Sequence, residues 1–389
     1  MVFFSSSDSP RDYSGSDFSN SNLSRATFNN AILNNVDFSG ATLDTTLFTC
    51  AFFNENTKFD GANISGTSFT QVGFTPEALA KINQVYRSLQ YTTPGFTRQM
   101  FESTANFTTT KDLTSTRLIM ANMNSWNFSG LNCTNADFSS SLLNGANFTN
   151  ANLAGANLYY TYSNGANLSG ASFNGTNLTS ADLRGATVSG LNGATIQNTI
   201  LSDGTIGNAD FAGVANTLRV RNYAGAGESI AAKLTSSAEM SGGANLILEE
   251  NSRFTITSTG SLNVGNDSAL VFAVADTPDT AIITVEDGGS ITIAENAQIV
   301  VSFEDEYLAN NEIVLMQWVD TSSIVGLDYI IENGTYEYMG ESSPLEYKYV
   351  VDGNTLKLVS VVPEPATYAL IFSSSIGILA LIRKRRIYR

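Results

Sequence analysis

The stretch that decides the fold reads Gly145-Ala146-Asn147-Phe148-Thr149-Asn150-Ala151-Asn152-Leu153. Phe148 and Leu153 are large and apolar and stand five positions apart. Two residues before each stands an alanine, Ala146 and Ala151. Polar residues fill the remaining places. Outward from here the same step holds over Leu118, Met123, Phe128, Cys133, Phe138, Leu143, Phe148, Leu153, Leu158, Leu168, Phe173, Leu178, Leu183 and Val188, with Ser163 the one polar occupant. An earlier run covers Phe18, Leu23, Phe28, Leu33, Phe38, Leu43, Phe48 and Phe53. It slips by one residue and resumes at Phe59, Ile64 and Phe69. Eight apolar residues in eight slots, in a chain that is 42% hydrophobic, has odds of about one in a thousand. A shorter third phase, out of register with the second, is expected at Ile196, Leu201, Ile206 and Phe211.

A period of five fits neither a helix nor a strand. A chain that turns a corner every five residues puts one large and one small residue inside on every side. Asn, Gly and Ser tolerate the backbone conformations of such corners. Successive coils then stack through backbone hydrogen bonds about 4.8 Å apart.

This pattern resembles the pentapeptide-repeat family over about residues 16–72 and 114–211. The resemblance implies a mainly β fold: a right-handed quadrilateral β-helix of about twenty residues per coil. The first block then holds about three coils and the second about five, roughly 14 Å and 24 Å of stack at strand spacing. Trp126 and Leu131 are bulky in the small slot, so a distorted coil or a cap is expected there. Cys133 falls in an inward slot and Cys50 does not, so no bridge between them is expected. The glycosylation-type sequons at Asn63, Asn106, Asn127, Asn147, Asn167 and Asn177 read as by-products of the repeat.

The chain divides into a first block at 1–74, a helical insertion or cap at 75–112, a second block at 113–213, an acidic β-rich domain at 214–362 and a tail at 363–389. In the insertion, Thr75-Pro76-Glu77 reads as a helix start. Leu79, Ile82, Tyr86 and Leu89 mark one helical face, and Thr97 offers a second start before Met100 and Phe101. Such helices are expected to cap an open coil or shield its edge, because uncovered strand edges template aggregation.

The acidic region is expected to be β-solenoid-like. Its strands are read at Asn245–Glu250, Phe254–Ser258, Ala269–Val274, Ala281–Val285, Gln298–Phe303 and Glu312–Trp318. Ser261-Leu262-Asn263-Val264 and Leu270-Val271-Phe272 recur 29 residues later as Ser290-Ile291-Thr292-Ile293 and Ile299-Val300-Val301. The region resembles the strand-rich passenger regions of bacterial surface proteins. Glu304-Asp305-Glu306 offers oxygen ligands of the kind Ca²⁺ takes. It has no recognisable ligand spacing and reads as a solvated acidic turn.

Charge follows the same divisions. The chain carries 36 acids and 20 bases, net −16, and no histidine. Residues 1–213 account for −5, residues 214–362 for −15 and residues 363–389 for +4. Without histidine there is no Ser-His-Asp or Cys-His nucleophile system and no His-ligated zinc. The acidity speaks against a nucleic-acid partner held by a basic face. No catalytic residue, cofactor or metal site is expected.

The tail is the most informative short segment. Pro363-Glu364-Pro365 precedes an uncharged run, 366–382, and then Arg383-Lys384-Arg385-Arg386. As a helix the run spans roughly 26 Å, close to a hydrocarbon core of about 30 Å, and the basic cluster stays cytoplasmic. The combination resembles the PEP-CTERM sorting signal of Gram-negative bacteria. In that family an exosortase recognises the signal and cleaves near Pro-Glu-Pro, here Pro363, Glu364 and Pro365. The resemblance implies a transient inner-membrane stage and then release or attachment at the cell envelope, with exopolysaccharide and other surface proteins as partners. Export needs an N-terminal signal, and Met1–Ser9 lacks its pattern, so the natural start is expected upstream.

Three functions are compatible with such a chain to different degrees. An exported structural or adhesive surface protein explains the tail, the repeat and the missing histidine together. A DNA mimic protecting topoisomerase needs acids along the coils, where only −5 is found. A polysaccharide-acting β-helix enzyme needs a carboxylate pair that nothing singles out.

Overall fold

The computed structural model describes residues 10–72, 95–212, 217–221, 230–249, 252–274, 282–303, 312–328, 335–338 and 346–361. In the five-step region each coil has four sides. Asp12 bridges Ile32, Asp17 bridges Asp37, Asn22 bridges Thr42 and Thr27 bridges Leu47, all parallel and all twenty residues apart. The one-residue slip lengthens the next coil, so that Asp37 bridges Lys58. The second block keeps the twenty-residue step from Asp112–Asn132 to Tyr162–Asp182. One such pair extends into short strands, β1 (Asn167–Leu168) and β2 (Thr187–Val188).

The corners explain why five residues suffice. Except after Phe53 and Val188, the backbone enters the left-handed region two positions after each large residue, at φ 55° for Asn20, 64° for Gly40 and 57° for Asn150. The turn closes when Ala151 N–H donates to Phe148 C=O at 2.9 Å. The corner's own N–H donates to the next coil, as Asn150 does to Ser169 C=O at 2.9 Å. Each corner therefore satisfies its backbone groups without long strands. Inside, large residues stack coil on coil. Phe28, Phe48 and Phe69 form a column with ring centroids 5.3 and 5.2 Å apart, and Phe128 lies 4.6 Å from Phe148. These distances are close to the spacing of neighbouring strands, about 4.8 Å, and fall in the range of favourable aromatic pairs. Ser163 is buried in its inward slot, with its hydroxyl 3.4 Å from that of Thr161. Cys133 is buried inward, Cys50 sits at a corner, and both thiols are free.

Residues 95–112, the described part of the insertion, lie between two joined blocks and do not close a free end. Ser68 bridges Arg117 directly, and Phe69 N–H donates to Arg117 C=O at 2.8 Å, so the two blocks form one stack. Helix α1 (Arg98–Ser103) does start at Thr97, whose hydroxyl accepts from Met100 N–H. Its segment fills missing rungs of the core. Phe96 stacks on Phe69 at 4.0 Å, and Phe101 stacks on Trp126 at 5.2 Å. Asn106, in the π-helical turn that follows, is buried and stands in for a strand. Its Oδ1 accepts from Ile64 N–H at 2.7 Å, and its Nδ2 donates to Ser65 Oγ at 2.9 Å. Trp126 is thus bulky because the layer beneath it is irregular. The coil at Trp126 and Leu131 is not distorted: Asn127–Asn147 and Asn132–Asn152 keep the regular step. The helix read from Thr75 lies outside the described residues.

After Val188 the coil tightens. Asn177 pairs with Thr195 and Asp182 with Ile200. Two short antiparallel strands follow, β3 (Thr199–Ile200) and β4 (Ile206–Gly207). The expected third phase is only partly realised: Ile206 and Phe211 are buried, but Ile200 occupies the inward place read for Leu201.

The acidic region is a three-sided parallel stack. Its first coil holds β5 (Phe211–Ala212), β6 (Leu218–Val220) and β7 (Ala232–Leu234). The second holds β8 (Ser237–Ser241), β9 (Asn245–Leu248) and β10 (Phe254–Ile256), and the third β11 (Ser261–Val264), β12 (Ala269–Val274) and β13 (Ile283–Val285). The fourth holds β14 (Ser290–Ile293), β15 (Gln298–Phe303) and β16 (Glu312–Trp318), followed by β17 (Ile324–Val325) and β18 (Thr335–Tyr338). The sheets run β5-β8-β11-β14-β17, β6-β9-β12-β15-β18 and β7-β10-β13-β16. The 29-residue repeat is realised residue for residue: Ser261 pairs with Ser290 and Leu270 with Ile299. A hairpin of β19 (Glu346–Asp352) and β20 (Thr355–Val361) adds antiparallel to β16. It covers that sheet's edge, a device against edge-to-edge pairing.

Candidate functional site

The outer faces of the four-sided stack carry ordered ladders of amides. Asn132 Nδ2 donates to Asp112 Oδ1 at 3.1 Å, and Asn152 Nδ2 donates to Asn132 Oδ1 at 3.3 Å. On another face Asn177 Nδ2 donates to Asn157 Oδ1, and Asn157 Nδ2 donates to Asp137 Oδ1, both at 3.1 Å. Each rung also accepts locally: Asn147 Oδ1 takes the N–H of Thr149 at 3.0 Å and its hydroxyl at 2.6 Å. This accounts for the recurring Asn-x-Thr and Asn-x-Ser. Asn63, Asn127, Asn167 and Asn177 make the same backbone contact two residues on, so in these sequons the pattern is a turn device.

One face departs from this. Its rungs are Leu142, Tyr162 and Asp182, and it meets the first coils of the three-sided stack. Tyr162, Asn164, Asp182 and Arg184 point outward by the repeat's rule, yet all are buried. Arg184 is fully enclosed. Its Nε donates to Asp182 Oδ1 at 2.9 Å, its Nη1 to Ile230 C=O at 2.7 Å and its Nη2 to Arg221 C=O at 2.6 Å. Asn164 Nδ2 donates to the same Asp182 oxygen at 2.8 Å. Beside them Glu249 accepts from Arg219 Nη1 at 2.8 Å and forms an ion pair with Arg221 across 2.8 Å. Arg219 Nε also donates to Tyr160 Oη at 2.8 Å, and the Arg221 guanidinium lies 3.7 Å from the Tyr162 ring centre. Burial pushes the Tyr162 phenol well above its usual range, so it stays protonated. Buried charges persist only when compensated, and here each guanidinium is paired with a carboxylate.

The junction joins two cores that are otherwise separate, one ending at Ala186 and the other beginning at Ile200. Chemically it binds protein to protein: each charged group is committed to another part of the same chain. Sequence reading missed it. The available signal was Tyr159-Tyr160 and Tyr162, aromatic residues on polar positions of the repeat, with Arg184 on another.

Among the described residues no cluster of three Cys, Asp or Glu side chains is arranged to hold a metal ion. No helix among them is long and apolar enough to cross a membrane. Pro363, Glu364, Pro365, the 366–382 run, Arg383, Lys384, Arg385, Arg386 and Glu304-Asp305-Glu306 all lie outside the described residues.

Residues 14–49, 132–162 and 164–203 match the pentapeptide-repeat family in eight copies. The chain carries pentapeptide repeats. Among solved structures it is similar to HetL, a pentapeptide repeat protein involved in heterocyst differentiation regulation from the cyanobacterium Nostoc sp. strain PCC 7120. That likeness has 21% identity, covers 50% of this chain and 81% of HetL, and has a TM-score of 0.18. A pentapeptide repeat protein from the Arabidopsis thaliana thylakoid lumen matches at 34% identity over 20% of this chain and 63% of its own, with a TM-score of 0.14. Rfr23 from the cyanobacterium Cyanothece 51142 matches at 16% identity over 48% of this chain and 90% of its own, with a TM-score of 0.15. A comparison with curated proteins returns no match. The assignment rests on the repeat itself.

Proposed function

We propose that this chain is a non-enzymatic structural or adhesive protein of the Gram-negative cell envelope. In this reading the pentapeptide stack and the acidic solenoid together form a rigid stalk, presented outside the cytoplasm. The observation that supports it best is the junction. Its buried charges are spent on holding two solenoids together, as a load-transmitting rod requires, and none is left aimed at an open cleft. The polar amide ladders suit a solvated, weakly charged outer surface. The tail supplies the sorting step: exosortase recognises Pro363-Glu364-Pro365, the 366–382 run holds the chain in the inner membrane, and Arg383–Arg386 keeps its end inside. Exopolysaccharide or other surface proteins are the partners.

Cell fractionation with an antibody to the acidic region tests this. The reading expects the protein in envelope and extracellular fractions. A wholly cytoplasmic soluble protein contradicts it. Turnover of purified protein on a polysaccharide panel would contradict the non-enzymatic part.

A further inference from the structure

Four Asn-Gly pairs lie among the described residues: Asn144-Gly145, Asn164-Gly165, Asn174-Gly175 and Asn192-Gly193. Asn-Gly is chemically labile because glycine has no Cβ to block approach to its nitrogen. That nitrogen attacks the asparagine Cγ and a new C–N bond closes a five-membered imide. The Cγ–Nδ2 bond breaks, and the side-chain nitrogen takes up the proton lost by the backbone and leaves as ammonia. Water then opens the ring at either carbonyl, giving aspartate or a β-linked isoaspartate. The glycine N–H must be free for the first step.

The stack locks three of the four. Gly145 donates to Asn164 C=O, Gly165 to Arg184 C=O and Gly175 to Gly193 C=O, each at 2.9 Å. Two of these have a second lock on the amide. Asn144 Oδ1 accepts from Asn164 N–H at 3.1 Å, and Asn164 Nδ2 donates to Asp182 Oδ1 at 2.8 Å. Asn174 is exposed and has only the backbone lock. Gly193 stands in the last coil of the pentapeptide stack. Among the described residues nothing accepts from it, and Asn192 is exposed.

We infer that Asn192 is a site of spontaneous deamidation. The product places a negative charge, and in the isoaspartyl form an extra backbone carbon, in the turn closed by Ala194 N–H on Leu191 C=O. This is where the chain leaves the regular stack, just before Thr195 pairs with Asn177.

The folded full chain is aged at mildly alkaline pH, digested and analysed by mass spectrometry for the one-dalton gain. Asn192 converts first, Asn174 several-fold more slowly, and Asn144 and Asn164 last. A parallel sample in denaturant converts all four at similar rates. Asn192→Gln removes the fastest phase and leaves the thermal midpoint unchanged. Equal rates at Asn192, Asn144 and Asn164 in the folded chain overturn the assignment. So does an Asn192 that stays intact when folded but converts in denaturant.

Discussion

The two stacks solve one problem with different economies. The pentapeptide stack turns a corner every five residues, keeps coils of twenty, and fills its centre with phenylalanine columns. The acidic stack has three longer sides, an aliphatic centre and coils of unequal length: β8 to β11 advances 24 residues, β11 to β14 advances 29 and β14 to β17 advances 33. In the first, shape is set by corner chemistry. In the second, it is set by strand pairing, and the corners are free to vary. Damage should therefore spread differently. A column of rings loses contacts on both sides of a gap, whereas a corner defect stays local.

The largest expected effect is Phe148→Ala. Phe148 is fully buried, stacked on Phe128 and edge-on to Phe138. Its loss should destabilise the pentapeptide stack by about 4 kcal/mol, seen as a lowered denaturant midpoint. Next is Asp182→Ala, which leaves Arg184 buried without its carboxylate and should cost about 3 kcal/mol. Replacing the pair with Leu and Met should restore most of that in urea titration. At the corners the effects are smaller and of opposite sign. Gly130 sits at φ 65° with open space around a Cβ, so Gly130→Ala carries only backbone strain, about 1 kcal/mol. Thr45, β-branched at φ 54°, is the reverse case, and Thr45→Gly should gain up to about 1 kcal/mol. Both are read from thermal midpoints.

The pH responses are smaller still and distinguish the regions by sign. Tyr162 keeps its proton in the fold above its ordinary value of 10.0, chiefly through burial. Once the unfolded chain ionises, the native state binds more protons, so stability falls as pH rises above 10.0. Tyr162→Phe should flatten that slope. Asp12, Asp17 and Asp37 are held below the ordinary 3.8 by hydrogen bonds from Ser14, Ser19 and Ser39. Their contribution is present above 3.8 and is lost as pH falls through the lowered values. Acid titration of the Asp12→Asn, Asp17→Asn and Asp37→Asn variants should show a shallower loss.

The same contrast explains what could be read before the structure. The five-residue step was legible because every corner has one length, so each inward slot recurs at a fixed interval. In the acidic region the strand pairs β11–β12 and β14–β15 keep one spacing, Leu262 to Leu270 and Ile291 to Ile299, and that offset was visible; elsewhere unequal turns hide the repeat. Three long strands, β12, β15 and β16, were legible to the residue from their apolar runs. How the insertion packs was not legible, because Phe96 and Phe101 carry no period and only packing shows them completing the ring columns. The junction was missed because Tyr162, Asp182 and Arg184 stand on positions the repeat sends to water. Nothing local says that a later segment returns to cover them.

The central claim is that the junction makes one rod of two solenoids. Trp126 lies in the pentapeptide core and Trp318 in the acidic core, and the chain has 2 tryptophans. Trp126→Phe and Trp318→Phe therefore give single-tryptophan reporters, one for each stack. Fluorescence during urea unfolding should give coincident midpoints for the two reporters, and the midpoints should separate when Asp182→Ala is added to each. Separate midpoints with the junction intact would contradict the account.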